Sequence, residues 1–347
     1  MLKHSEPKRF DLKRLFLTGG TGFFGRALLR FLVAQASRGV APPNVLVLSR
    51  NPNSFLQMHP EFYGHEWLGF HAGDIMDSSS LPVGERFTHI LHAATDSTLG
   101  PELSPRVRFQ QIHDGTRNIL DLAISSGAKR FLLTSSGAIY GPQPQDEESL
   151  SEDSAIHLSV NSANDAYGVG KLAAEHLCAL YSDEFGLKTI IARCFAFMGP
   201  DLPLDAHFAI GNFVRDALWA DEIVVRGDGS PLRTYLDQDD LANWLLALLE
   251  KGRPGEVYNV GSDEVVSIVD LAHLVRDLIA PDKPVQILGK ADPLHARNRY
   301  VPAISKARKE LGLDVTIPLA ESIRRSAEAH RKLGPQSRRS FLTLMGP

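Results

Sequence analysis

Arg14-Leu15-Phe16-Leu17-Thr18-Gly19-Gly20-Thr21-Gly22-Phe23-Phe24-Gly25 joins a short apolar run to a glycine-rich turn. A helical pattern follows to about residue 36, with Leu28, Leu29, Leu32 and Val33 on its apolar side. Strand, glycine turn and helix together form the context that a dinucleotide-binding loop requires. The glycines permit a tight turn and close approach of backbone to a pyrophosphate. The helix N-terminus offers N–H groups and the positive end of its dipole. The spacing is Gly19-x-x-Gly22-x-x-Gly25. Candidate cofactor contacts are Gly19, Thr21, Gly22, Phe23, Phe24 and Gly25.

Outward from this loop, strand and helix patterns alternate. Strands are expected at 44–48, in a short run ending before Gly73-Asp74-Ile75, at 89–94 and at 130–135, with a long helix over 105–127. Alternation of this kind predicts an α/β fold with a doubly wound parallel sheet, whose ligands sit at the carboxyl ends of the strands. Those ends carry Ser49 and Arg50, Asp74 and Ile75, Ala93 and Ala94, and Ser135 and Ser136. The second strand ends without a carboxylate to hold a ribose 2′-OH, and Arg50 suits a 2′-phosphate, so NADP is favoured over NAD. Asp74 reads equally as an adenine contact or a turn cap. His92 reads as a core histidine.

A second feature is Arg130-Phe131-Leu132-Leu133-Thr134-Ser135-Ser136-Gly137-Ala138-Ile139-Tyr140-Gly141, a buried strand ending in hydroxyls. Beyond an acid- and proline-rich loop at 142–164, a helix over 163–185 carries Tyr167 and Lys171, four apart and so on one face. A strand-end hydroxyl and a Tyr/Lys pair suit proton transfer coupled to hydride transfer. The later chain reads as a smaller α/β lobe. Helices are expected at 208–220, 237–251, 268–280, 302–311 and 319–332, with strands at 189–193, 223–225 and 257–260. The expected division is 1–193 as an NAD(P)-binding Rossmann domain to which 237–262 returns. Residues 194–236 and 263–330 form a substrate-binding lobe. Residues 1–12 read as a loose arm and 331–347 as a tail.

The chain has 347 residues, 43% of them hydrophobic, a net charge of −4 and two cysteines. This balance gives no basic footprint for nucleic acid. Two cysteines imply neither a disulfide framework nor a thiolate metal site, and Cys178 and Cys194 read as small buried hydrophobes. No apolar run reaches a membrane span, and the charged N-terminus lacks the apolar core of a signal peptide. A cytoplasmic protein without a metal is expected.

As a set, these residues resemble the extended short-chain dehydrogenase/reductase family, in its branch of nucleotide-sugar epimerases, dehydratases and reductases. The resemblance covers roughly 13–330. It rests on the glycine loop, Ser136 with Tyr167-x-x-x-Lys171, and Arg193 through Gly199-Pro200. Gly227-Asp228-Gly229 with Arg233, Asp239-Asp240-Leu241-Ala242 and Tyr258-Asn259-Val260-Gly261 complete it. It implies that Tyr167 is the general acid or base and that Ser136 holds the reacting oxygen. Lys171 would bond the nicotinamide ribose and, as an ammonium, draw the phenol pKa down. Arg233 would bind the nucleotide diphosphate, with His207, Asn212 and Arg299 (or Arg297) lining the sugar pocket. A homodimer through the helices at 105–127 and 163–185 is likewise implied.

Departures from the family pattern narrow the chemistry. The 4,6-dehydratases carry Asp-Glu where this chain has Gly137-Ala138, and the 3,5-epimerising members use a cysteine that is absent here. The usual Asn of the Arg193 segment is Ala196. The expectation is an NAD(P)-dependent nucleotide-sugar epimerase or 4-ketoreductase rather than a standard 4,6-dehydratase. The alternatives are a reductase of a small non-nucleotide carbonyl compound, as in the dihydroflavonol-reductase branch, and a cofactor-sensing module without catalysis.

Overall fold

The computed structural model describes residues 10–95, 103–290 and 297–333. Its centre is a parallel sheet of strands β1 (Arg14–Thr18), β2 (Asn44–Ser49), β3 (Leu68–Ala72), β4 (His89–His92), β5 (Arg130–Ser136), β6 (Lys188–Cys194) and β11 (Val257–Val260). Their order is β11-β6-β5-β4-β1-β2-β3. The chain therefore reverses direction of winding between β1 and β4, the place where open α/β sheets leave a crevice at their carboxyl ends. Helices α1 (Phe23–Ser37), α2 (Pro52–Met58), α3 (Pro105–Ser126), α4 (Ala166–Phe185) and α6 (Gln238–Lys251) cover the faces. β1 shows why: all four of Leu15, Phe16, Leu17 and Thr18 are buried, as a strand covered on both sides demands. Leu15 and Leu17 face the core shared with α1 and α6, whereas Phe16 faces the core shared with α3 and α4. Each such side chain contributes about 1.5–3 kcal/mol by leaving water.

α3 is bounded by local chemistry. The Ser104 hydroxyl accepts from the Val107 N–H, Pro105 fills the first helical position, and Gly127 stops the helix at φ +75°. α4 ends the same way at Gly186. The start of α4 is set by small residues. A Cβ at Gly168 would lie 2.8 Å from the Ala138 carbonyl oxygen, and one at Gly170 3.3 Å from Ile112. The pair of glycines thus lets Tyr167 and Lys171 ride close against the end of β5 and against α3.

The second lobe is built on its own core of Met198, Leu204, Phe213, Val214, Val225, Leu271 and Ile323. Its helices are α5 (Ala209–Trp219), α7 (Ile268–Ile279) and α9 (Leu319–Leu333). Short strands complete it: β7 (Phe197–Met198) with β10 (Leu236–Asp237), β8 (Ile223–Val225) with β13 (Val285–Ile287), and β12 (Val266–Ser267), β9 (Leu232–Arg233) and β14 (Arg299–Tyr300) in a sheet of three. Helix α8 (Ser305–Leu311) starts later than expected, after Pro302. Ile304, Ala307 and Leu313 beside it pack into the core of α1 and α6.

Three differences from the sequence reading stand out. Phe10 and Leu12 are buried rather than part of a loose arm, with Phe10 against Phe31; residues 1–9 and 334–347 lie outside the described residues. The 142–164 segment is partly internal, because Leu150 is fully buried and pairs with the backbone at Val301 and Ala303. The two lobes also share a buried carboxylate. Asp201 accepts from Arg30 Nε at 2.9 Å and Gln238 Nε2 at 3.0 Å, while its carbonyl accepts from Arg26 at 2.7 Å.

Among the described residues, no helix is long and apolar enough to cross a membrane. His92 is the core histidine expected. It bonds Thr18 Oγ1 at 2.7 Å and Thr116 Oγ1 at 3.2 Å, and burial, then Lys171, pushes its pKa down from 6.5 to about 3. Burial, then Arg130, holds His89 down to about 4. Between these values and pH 6.5 the unfolded chain binds protons that the folded protein refuses. The stability is therefore complete above pH 6.5 and is lost as pH falls, at up to about 1.4 kcal/mol per pH unit for each histidine. Melting temperature measured against pH should fall below pH 6.5, and His92→Asn should flatten that fall. An unchanged slope in the variant would refute this assignment.

Candidate active site

One continuous cleft runs from the adenosine end, at Ser49, Arg50 and Asp74, past the glycine loop to Ser136, Tyr167 and Lys171, and on to Arg233 and Tyr300. At the loop, Gly19 has φ +71° and is pressed against the Ala93 backbone, so no side chain fits. Gly25 packs against Gly20 and brings α1 close to the sheet. A Cβ on Gly22 would meet nothing nearer than the Gly19 oxygen at 3.5 Å, and Gly22 stands at the N-cap of α1 without any side-chain cap. The first N–H groups of α1 are thus left to an anion, and the loop fits a dinucleotide pyrophosphate. Thr21, Phe23, Phe24, Ile75, Ala93 and Ala94 also line the cleft.

Asp74 does act as a turn cap, accepting from the Met76 N–H at 2.9 Å, while still lining the cleft. Ser49 accepts from the Asn51 N–H, and Asn51 caps α2. Arg50 is exposed, with the α2 N-terminus beside it.

Further along the cleft, Ser136 terminates β5 and its hydroxyl accepts from the Ala138 N–H at 3.1 Å. It faces Tyr167, whose pKa is raised by burial and drawn back by Ser136 and then by Arg108. Lys171 donates to Thr95 Oγ1 and to the Thr134 carbonyl, both at 2.8 Å, which uses two of its three N–H donors. Burial lowers its pKa to about 8. A cation lies against the phenol ring: Arg108 of α3, with its guanidinium carbon 4.1 Å from the ring centroid. Cys194, nearby at the end of β6, is a buried thiol pushed up to about 12 by burial, and Cys178 is buried too.

Beneath Ser136 lies a closed polar network. Arg193 donates to Glu175 from Nη2 at 2.8 Å and Nε at 3.1 Å, Ser135 donates to the same carboxylate, and Arg193 Nη1 reaches Tyr140 Oη at 3.0 Å. Tyr140 in turn donates to Asn259 on β11 at 2.8 Å. Glu175 lies one turn beyond Lys171, so the network fixes the base of α4 against β5, β6 and β11.

On the far wall, Arg233 is half-buried in the cleft, and its nearest charged and titratable neighbours are Tyr235 and Tyr300. His207 lines the cleft against Phe208. Two expected residues are not brought in. Asn212 accepts from Arg215 at 2.9 Å and is not among the described residues lining the cleft. Arg299 is likewise outside that lining, because alternate residues of a strand face opposite ways and its neighbour Tyr300 takes the inward position opposite Arg233. Arg297 is turned to the Ser230 carbonyl.

Tyr300 and Arg108 are the site residues that sequence reasoning missed. Tyr300 lines the cleft beside Ser136, with its ring centroid 4.6 Å from that of Phe195. Its hydroxyl fills the place of a side chain at 137: a Cβ there would lie 2.6 Å from Tyr300 Oη and 2.8 Å from Phe195. Gly137→Ala should therefore destabilise by about 1–3 kcal/mol through overpacking, read by thermal denaturation. Wild-type melting would mean that both rings give way freely.

The sheet order and the cleft define a Rossmann-type dinucleotide-binding protein of the extended short-chain dehydrogenase/reductase class. The chain belongs to the NAD dependent epimerase/dehydratase family, whose model matches residues 15–261. It is 29% identical over 334 residues to UDP-glucuronic acid decarboxylase 1 of Xenopus tropicalis, covering 93% of this chain and 73% of the relative. The dTDP-glucose 4,6-dehydratase of Streptomyces venezuelae, crystallised with NAD, superposes with a TM-score of 0.78 at 26% identity, covering 95% of this chain and 99% of that one. RMD of Pseudomonas aeruginosa complexed with NADPH superposes with a TM-score of 0.74 at 26% identity, covering 93% and 100%.

Proposed function

We propose that this chain is a nicotinamide-dependent nucleotide-sugar epimerase or 4-ketoreductase that oxidises or reduces one sugar carbon. The observation that carries the reading is the meeting of Ser136, Tyr167 and Lys171 beside the glycine-loop cleft, with Arg233 on its opposite wall. The bound nicotinamide supplies hydride acceptance and return. Tyr167 takes or gives the proton of the sugar hydroxyl, and Ser136 holds that oxygen. Lys171, fixed by Thr95 and Thr134, keeps one N–H for a ribose hydroxyl. Arg233 offers a planar fork of donors to the diphosphate. Arg50, at a strand end without a carboxylate, favours NADP. Gly137 and Ala138 carry no proton, so the route of the 4,6-dehydratases lacks its acid and base. A pairing of two copies through α3 and α4 belongs to the same proposal.

The relative from Xenopus supports a second reading that shares the first step. Oxidation of a uronic acid beside its carboxyl-bearing carbon yields a β-keto acid, which loses carbon dioxide readily. One experiment separates the readings. UDP-, dTDP-, GDP- and CDP-sugars are screened by thermal shift, since a ligand of the native state alone raises the melting temperature. The best sugars and UDP-glucuronate are then incubated with NAD or NADP and analysed for epimer, reduced sugar and carbon dioxide. Absence of any shift with nucleotide sugars, alongside turnover of a small carbonyl compound with NADPH, would overturn the proposal.

A further inference from the structure

We propose that Arg108 is a positioning residue for catalysis, clamping the Tyr167 phenol by its ring face and stabilising the phenolate. The inference rests on the reading of Tyr167 as the acid–base group. A guanidinium carbon 4.1 Å from a ring centroid is well within cation–π range, and the attraction strengthens when the ring gains negative charge. The guanidinium is planar, permanently charged and able to stack, which a lysine is not. Its helix is held at the base, because the Arg108 N–H donates to the Ser104 carbonyl at 3.0 Å directly behind the capped first turn.

The other groups facing the phenol leave this role to Arg108. From β5 comes the neutral Ser136 hydroxyl, from β6 the Cys194 thiol, kept neutral by burial, and from β14 the Tyr300 phenol, also kept neutral by burial. On α4 itself, the Lys171 ammonium is committed to Thr95 and Thr134, and Glu175 is paired with Arg193. His207 faces Arg108 from the second lobe, and burial, then Arg108, holds its pKa down, so it adds no charge at neutral pH. Arg108 is thus the cation in ring contact with Tyr167. It works before any cofactor arrives, whereas the charge of an oxidised nicotinamide acts only in the loaded state.

The test is a phenolate absorbance titration of the full-length protein, with the signal of Tyr167 isolated by subtracting Tyr167→Phe. It is run without added dinucleotide and again at saturating NADP. Arg108→Gln should raise the midpoint by about one pH unit in both states. Arg108→Lys should lie between the two, since it keeps charge without the stacking plane. Melting temperature and NADP affinity, measured alongside, should stay near wild type, which a general structural defect would not allow. Should Arg108→Gln not fold, the lysine variant alone decides, by a midpoint above that of the wild type. An unmoved midpoint with Tyr167→Phe inactive overturns the inference and leaves the acid–base reading standing. A Tyr167→Phe protein with full turnover removes that reading, and this inference with it.

Discussion

Tyr167→Phe is expected to cut turnover of the nucleotide sugar by about 10²–10⁴-fold, the usual worth of a positioned proton-transfer group. Its dinucleotide affinity should stay within a few-fold of wild type. The phenol stands at the start of α4, facing Ser136 at the end of β5, where the cleft passes from the glycine loop to Arg233. The variant keeps the ring that Arg108 covers and loses only the proton-carrying oxygen. Burial, with a smaller push from Cys194, raises the phenol pKa, so the protein without cofactor holds it neutral at pH 7. Activity should climb as pH rises towards the phenol pKa. Lys171, at about 8, loses its ammonium before the phenol loses its proton, so the climb should level or turn over near pH 8. Retention of most of the activity in Tyr167→Phe would end the proposed mechanism.

Breaking the Arg193–Glu175 pair should give the largest loss of stability. Both side chains are buried, at 9% and 8% exposure, and removing one strands the other without its countercharge. The cost is about 3–5 kcal/mol for Arg193→Met or Glu175→Leu. For a protein of this size that is on the order of 10 °C in melting temperature. Ser135 and Tyr140 lose a partner in the same step. The double variant Arg193→Met/Glu175→Leu should recover much of the loss, because no buried charge remains. Single variants that melt like wild type would show that the pair is dispensable.

Much of this was readable in the chain itself. Thr18 through Gly25, the strand ends and the Tyr167/Lys171 spacing are local signals, and each carries its own chemistry. The periodic helices likewise fell near their observed limits. Tyr300 and Arg108 were not readable, for a different reason. β14 is a two-residue strand, too short for alternation to reveal which of Arg299 and Tyr300 faces inward. Arg108 sits on a polar stretch of α3, and only the approach of α4, permitted by Gly168 and Gly170, brings a phenol ring beneath it. Phe10 and Leu12 were hidden by the charged residues around them, and Asp201 by a loop without periodicity.

Asp201 carries a consequence for how the molecule would select among the sugars of the proposed function. A carboxylate held by Arg26 and Arg30 from the glycine-loop helix, and by Gln238 from α6, ties the roof of the cleft to its floor. Swinging the lobes apart would strip those partners from a desolvated anion. The gap between the walls is consequently preset, and selectivity falls to the side chains that furnish it, such as the ring of Tyr300 in the space left by Gly137.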